Sequence, residues 1–118
     1  MATISRIVMP GNRVAFTDRF GNRLEGVVVR VVRFGWCPGA NTYTIYVEES
    51  PAYGGKPCVY SISLGGFVIV EQPDEATRTQ AVEAAHTHYS AYLADNYPKW
   101  RERLAQQPDY QLFGPSYP

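Results

Sequence analysis

Residues 23–34 read Arg-Leu-Glu-Gly-Val-Val-Val-Arg-Val-Val-Arg-Phe, and five of the six positions from Val27 to Val32 are valine. Because valine is branched at Cβ, it fits an extended, pleated chain better than a helix. The stretch therefore predicts a long β-strand. Gly26 inside it predicts a bulge or bend, which a small sheet needs in order to curl into a barrel.

Four shorter β-rich segments accompany this strand. They are residues 13–17, 42–48, 58–64 and 67–70. In the first of them Val14 and Phe16 alternate with polar or small residues, which is typical of a half-buried strand. The intervening residues are rich in Gly, Pro, Asn and Asp, which favour turns. Five short strands in succession predict an antiparallel barrel or a small sandwich.

The hydrophobic period lengthens to three or four residues after Glu71. Apolar side chains then recur at Val82, Ala85, Tyr89, Tyr92 and Leu93, which predicts an amphipathic helix from about residue 74 to 95. Pro98 suits the first turn of a second, shorter helix. The expected organisation is a β-barrel over residues 1–72, a helical extension packing on it over 73–108, and a flexible tail over 109–118.

The order of these segments resembles that of SH3-like barrels of the KOW and Tudor kind over about residues 8–71. The resemblance rests on Pro10-Gly11-Asn12-Arg13-Val14, Gly26-Val27-Val28-Val29, the tyrosine-rich strand 42–48, and Ser63-Leu64-Gly65-Gly66-Phe67-Val68-Ile69-Val70. It implies a five-stranded, strongly bent antiparallel sheet whose loops and aromatic surface bind nucleic acid, peptides or proteins. The chain departs from signalling SH3 domains, because it lacks their paired acidic run and tryptophan pair.

The charge of the chain restricts the class of partner. Eleven Lys and Arg residues balance eleven Asp and Glu residues, so the formal net charge is zero at pH 7. This balance argues against binding nucleic acid or an anionic membrane through the charge of the whole molecule. No apolar run approaches the roughly 20 residues that span a bilayer, so a cytoplasmic location without a membrane partner is expected.

Trp36 is the first candidate binding residue, because it places a large ring in the Gly- and Pro-rich loop 35–41. An exposed tryptophan commonly anchors a partner protein or stacks on a base. The alternative is that Trp36 folds down over the barrel or packs against the C-terminal helix.

A basic surface is the second candidate. Its members are Arg13, Arg19, Arg23, Arg30 and Arg33, with Phe20 and Tyr46 as nearby aromatic platforms. Such a surface suits phosphate contacts and base stacking. The alternative is a solvated strand face on which the arginines pair with Glu25, Glu48 or Glu49. Clustering of the arginines on one face would distinguish the two hypotheses.

The apolar side of the helical segment is the third candidate. It comprises Ala85, Tyr89, Tyr92, Leu93, Tyr97 and Trp100. These residues either cover the barrel, whose core of about 60 residues is marginal on its own, or bind a partner or a second copy of the chain.

The sequence contains no recognisable catalytic constellation, so neither an enzyme nor a cofactor is expected. His86 and His88 lie two apart on the predicted helix and point in nearly opposite directions, so they cannot share a metal ion. Cys37 and Cys58 fall at opposite ends of the predicted meander, too far apart for a disulfide.

Together these observations predict a non-enzymatic interaction protein that binds a protein partner through the barrel and the helical face. That class includes accessory and inhibitory factors. A nucleic-acid-binding SH3-like module is the alternative, and a homodimer formed through the helical face also stays open.

Overall fold

The structure is a computed structural model that describes residues 7–34, 36–37, 40–63, 65–107 and 112–113. It contains a β-sheet followed by two α-helices. The strands are β1 (Arg13–Thr17), β2 (Arg23–Val32), β3 (Thr42–Ser50), β4 (Lys56–Ser63) and β5 (Val68–Glu71), and the helices are α1 (Glu75–Asn96) and α2 (Pro98–Gln106). A 3₁₀ turn, Pro51–Tyr53, joins β3 to β4. The predicted five antiparallel strands and C-terminal helices are confirmed.

The sheet has the strand order β4-β3-β2-β1-β5, and all neighbouring strands are antiparallel. The valine-rich β2 lies at its centre, between β1 and β3. β1 also pairs with β5, so the first and last strands of the chain are neighbours. Within the described residues no hydrogen-bonded ladder joins β4 to β5, and the sheet is therefore open.

The inner face of the sheet forms the main hydrophobic core. Its buried residues are Val8, Val14, Phe16, Leu24, Val28, Val31, Tyr43, Ile45 and Val47. The ring of Phe16 on β1 meets the ring of Tyr60 on β4 edge-on, with 5.1 Å between centroids. Because β1 and β4 are not neighbours in the sheet, this contact requires the sheet to curl strongly around the core.

The outer face of the sheet is covered in part by α1. Val29 and Tyr46 of the sheet form a second buried cluster with Ala85 of α1, against which Tyr89 and Phe113 also pack. Phe113 belongs to the predicted tail; apart from it and its neighbour Leu112, the tail lies outside the described residues. The helical segment thus adds a second apolar layer to the sheet.

Gly26 does not form the predicted bulge. It pairs with Val14 in regular register, and the register of β2 with β3 shifts further along, between Val28 and Arg30. A Cβ atom at position 26 would lie 2.5 Å from the carbonyl oxygen of Tyr46. Glycine is required here because the backbone of β3 approaches closely.

The segment before β1 is fastened to the sheet through the buried side chain of Asn12. Its Oδ1 accepts a hydrogen bond of 3.0 Å from the backbone N–H of Met9. The backbone N–H of Gly11 donates to the carbonyl of Val28 at 2.7 Å, and the Val28 N–H donates to the Asn12 carbonyl at 2.9 Å. These bonds extend the sheet beyond β1 and bring Val8 into the core.

We expect Gly26→Ala to lower the free energy of unfolding by about 1–3 kcal/mol, because the added methyl group would overlap the Tyr46 carbonyl. Urea denaturation followed by circular dichroism measures the loss. Glu49→Ala, an exposed change on β3, is the control and should stay within about 0.5 kcal/mol. Equal midpoints for the two variants would contradict the close approach of β3.

Candidate functional site

Two turns meet at one end of the sheet. The turn 18–22 joins β1 to β2, and strand register places it at the same end as the 3₁₀ turn Pro51–Tyr53. Between them lies a pocket of about 340 Å³, here named the Phe20 pocket. Its walls include Phe20, Tyr53, Tyr60 and Ile62. Phe20 is 61% exposed and Tyr53 is 47% exposed, so aromatic surface faces the solvent.

The turn that carries Phe20 is built around Asp18. The carboxylate of Asp18 accepts hydrogen bonds of 2.9 Å from the backbone N–H groups of Phe20 and Asn22, and one of 3.0 Å from the Asn22 side chain. Desolvation opposes ionisation, but these hydrogen bonds and the nearby Arg19 lower the pKa of Asp18. The Arg19 guanidinium lies over the Phe20 ring, 4.9 Å from its centroid.

On the other side of the 3₁₀ turn lies a second cavity, of about 510 Å³, between the start of β4 and the two helices. We name it the aromatic groove. It is lined by Tyr53, Lys56, Pro57, Cys58, Tyr89, Tyr92, Leu93, Tyr97 and Trp100. Five of these nine residues are aromatic, and none of the nine is a carboxylate.

The rings of the aromatic groove support one another. Tyr89 and Tyr92 are stacked, with centroids 6.2 Å apart and planes at 12°, and Tyr97 meets Tyr92 edge-on at 6.4 Å. Desolvation raises the pKa of Tyr89 and, together with Tyr97, that of Tyr92. Both phenols are therefore neutral at physiological pH. That of Tyr92 shares a side-chain hydrogen bond with Tyr97, so Tyr89 is the one of the two that can donate to a ligand.

Tyr53 lines both the Phe20 pocket and the aromatic groove. The two cavities therefore adjoin and form one surface, with Tyr53 at its middle. The hydroxyl of Tyr60, in the wall of the Phe20 pocket, shares a hydrogen bond of 2.6 Å with Ser50 Oγ. This bond fixes the wall against the buried end of β3.

Trp36 lies away from this surface. It is 85% exposed and meets Phe34 edge-on, with 6.2 Å between ring centroids. Trp36 precedes β3, whereas Tyr53 follows it, so the two rings stand at opposite ends of that strand. Because most of the Trp36 side chain is exposed, the alternative in which it folds down as a lid is wrong.

The candidate arginines are distributed over several surfaces. Arg13 forms a salt bridge of 3.1 Å with Glu25, and the guanidinium of Arg33 donates a hydrogen bond to the carbonyl of Val8. Arg30 stands on β2 opposite Thr44 of β3.

Arg13, Arg19 and Arg23 line three different cavities. Arg23 lies beside the turn before β5, outside both the Phe20 pocket and the aromatic groove. The structure therefore does not gather the five arginines on one binding face.

The hypothesis of a basic surface required Tyr46 to be an exposed aromatic platform, and this prediction is wrong. Tyr46 is only 5% exposed because α1 covers it. Its hydroxyl is hydrogen-bonded to Nδ1 of His88, whose Nε2 lies 3.6 Å from the Glu48 carboxylate. Burial, together with Glu48, raises the pKa of Tyr46 to about 12. Tyr46 thus joins the helix to the sheet.

The apolar side of the helical segment performs two roles. Ala85 and Leu93 are buried, and Tyr89 packs on Tyr46 with ring centroids 5.6 Å apart. Tyr97, by contrast, is half-exposed and lines the aromatic groove together with Trp100. One part of the segment therefore covers the sheet, and the other part is open to a ligand.

Tyr53 and Lys56 were not singled out by the sequence analysis. The signal available was a large ring in a Gly- and Pro-rich connection, the same feature that drew attention to Trp36. Sequence alone did not show which of these two rings would lie beside other aromatic residues.

In the described part of the chain no three His, Cys, Asp or Glu side chains are placed to hold a metal ion. None of its helices is long and apolar enough to span a membrane. Cys37 and Cys58 are free thiols; Cys37 precedes the start of β3, and Cys58 lies opposite Val47 near the end of that strand.

Comparisons with protein-family models, curated proteins and solved structures give no match.

Tyr46 is expected to ionise near pH 12, above the ordinary tyrosine value of about 10. Because its folded-state pKa is raised, the stabilisation is complete below about pH 10 and is lost as the pH rises towards about 12. The ultraviolet absorbance of phenolate, titrated in the wild type and in Tyr46→Phe, measures this step. Tyr53→Phe, the control, should retain the full step. Because the pKa values of Tyr60, Tyr89 and Tyr92 are also raised, the result that would contradict the assignment is a step near pH 12 whose amplitude is the same in Tyr46→Phe as in the wild type.

Proposed function

We propose that the protein is a non-enzymatic interaction module that binds a partner protein through the Phe20 pocket and the aromatic groove. The observation that carries this proposal is that Tyr53 joins two cavities in which eight of the seventeen lining residues are aromatic. Tyrosine and tryptophan are enriched among the residues that contribute most to protein–protein binding, because each buries a large area and retains a polar group.

The rigidity of the surface supports this proposal. The hydrogen bonds of Asp18 hold the turn that carries Phe20, and Tyr60 is tied to Ser50. Surfaces that are ordered before binding lose less conformational entropy when a partner arrives. A partner therefore meets a surface whose shape is already set.

The proposal includes an SH3-like barrel of the KOW or Tudor kind as the scaffold. Pairing of β1 with both β2 and β5, together with the ring contact between Phe16 and Tyr60 across the core, supports strong curvature. It also includes a role as an accessory or inhibitory factor and a cytoplasmic location. The free thiols of Cys37 and Cys58 support the location alone, because free thiols are usual in a reducing compartment.

Nucleic acid is the second candidate partner. The guanidinium of Arg19 above the ring of Phe20 is an arrangement that can contact phosphate while a base stacks nearby. The zero net charge and the distribution of the arginines over separate cavities favour a protein instead.

Selection from a display library of short random peptides tests the proposal. We expect wild-type protein to enrich binding peptides, and Tyr53→Ala to weaken their binding by about tenfold or more, as for a central contact residue. Trp36→Ala, which also removes an exposed aromatic ring, is the matched control and should bind normally. Thermal melts of both variants establish that they fold.

Two outcomes would contradict the proposal. One is that the library yields no binder while the wild type binds single-stranded DNA or RNA in a salt-dependent manner. The other is that peptides bind but their affinity depends on Trp36 and not on Tyr53.

A further inference from the structure

We infer that the ligand of this surface is an acidic, extended peptide that crosses Tyr53, with its carboxylates near Arg19 and Lys56. This inference rests on the proposed function and specifies its ligand. The peptide's apolar side chains would occupy the Phe20 pocket and the aromatic groove.

The charges that line this surface are positive on balance, since Arg19 and Lys56 outnumber the ionised Asp18. Arg19 lines the Phe20 pocket, and Lys56 lines the aromatic groove. Among the described residues that line either cavity, Asp18 is the one carboxylate, and it already accepts three hydrogen bonds inside its own turn. A peptide that carries carboxylates on either side of an apolar centre therefore complements the surface.

The small number of cations that line the two cavities favours a peptide over a nucleic acid. In the described part of the chain, Arg19 and Lys56 are the two cations that line the cavities on either side of Tyr53, and the guanidinium of Arg103 lies over the ring of Trp100, 5.0 Å from its centroid. Nucleic acid binding gains most of its affinity from many phosphate contacts. Of the other basic residues, Arg13 is bonded to Glu25 and Arg33 to a backbone carbonyl.

The aromatic groove defines the apolar part of the ligand. Tyr89 and Tyr92 line the groove as a stacked pair, and the neutral hydroxyl of Tyr89 can donate to a peptide carbonyl. Grooves lined with aromatic rings hold extended peptides that contain proline, because such peptides lose little entropy on binding. We therefore expect proline or aromatic residues between the carboxylates.

The test uses the full chain and the same random peptide library. We expect the selected peptides to be enriched in Asp and Glu, and replacing one such residue by its amide to weaken binding about fivefold. Lys56→Glu and Arg19→Glu should each weaken the binding of peptides that were selected on the wild-type protein. Selection on either variant should yield less acidic peptides. Arg30→Glu makes the same charge change on β2 opposite Thr44, at a residue that lines neither cavity, and should leave affinity unchanged.

Two chemical probes locate the bound peptide. The chain has two tryptophans, so Trp36→Phe leaves Trp100 of the aromatic groove as the one tryptophan whose fluorescence reports binding. The two cysteines provide an internal comparison, because Cys58 lines the aromatic groove and Cys37 lies at the other end of β3. Bound peptide should slow alkylation of Cys58 and leave that of Cys37 unchanged.

Several outcomes would overturn the inference. The acidic ligand would be refuted if the peptides whose binding depends on Tyr53 were neutral or basic. It would also be refuted if the selected peptides bound Lys56→Glu and the wild type with equal affinity. Either result would leave the proposed function standing. A dimer in solution that Tyr53→Ala dissociates would identify a second copy of the chain as the occupant. Absence of any peptide binding would instead remove the proposed function itself.

Discussion

The packing of α1 against Tyr46 fixes the position of the whole aromatic surface. Gly26 lets the backbone of β3 come close to β2, and Tyr46 projects from that strand into the outer face, where Tyr89 and Phe113 lie against it. Once Tyr89 is placed, the stacked ring of Tyr92 lies nearly one helical turn further along. Each residue advances a helix by about 100°, so a shift of α1 by one residue would remove both rings from the aromatic groove.

This packing also explains why β2 is rich in valine without alternating strictly with polar residues. Val28 and Val31 enter the main core, whereas Val29 belongs to the cluster beneath α1. A strand with apolar neighbours on both faces is typically a continuous hydrophobic run. A sheet of this size buries limited apolar area by itself, and the helical segment supplies the additional layer.

The local pattern of the sequence was sufficient to predict the strands and helices, but not to predict which aromatic residues form the surface around Tyr53. Valine content predicted β2, and the apolar spacing from Val82 to Leu93 predicted α1, because both signals depend on neighbouring residues. Tyr53 and Trp36 have similar local surroundings, and only strand register determines that one lies beside the helices and the other does not. The burial of Tyr46 and the bond from Arg33 to Val8 likewise depend on contacts distant in sequence, which a local pattern does not contain.

The break between the two helices completes the surface. Tyr97 is extended, with φ −134° and ψ 101°, and α2 begins at Pro98. Proline lacks an N–H group and suits a first helical turn. In an uninterrupted helix Trp100 would stand about 16.5 Å along the axis from Tyr89, too far for both rings to close one side of a compact groove. The break redirects the chain, and Trp100 thereby joins Tyr89 and Tyr92 opposite the start of β4.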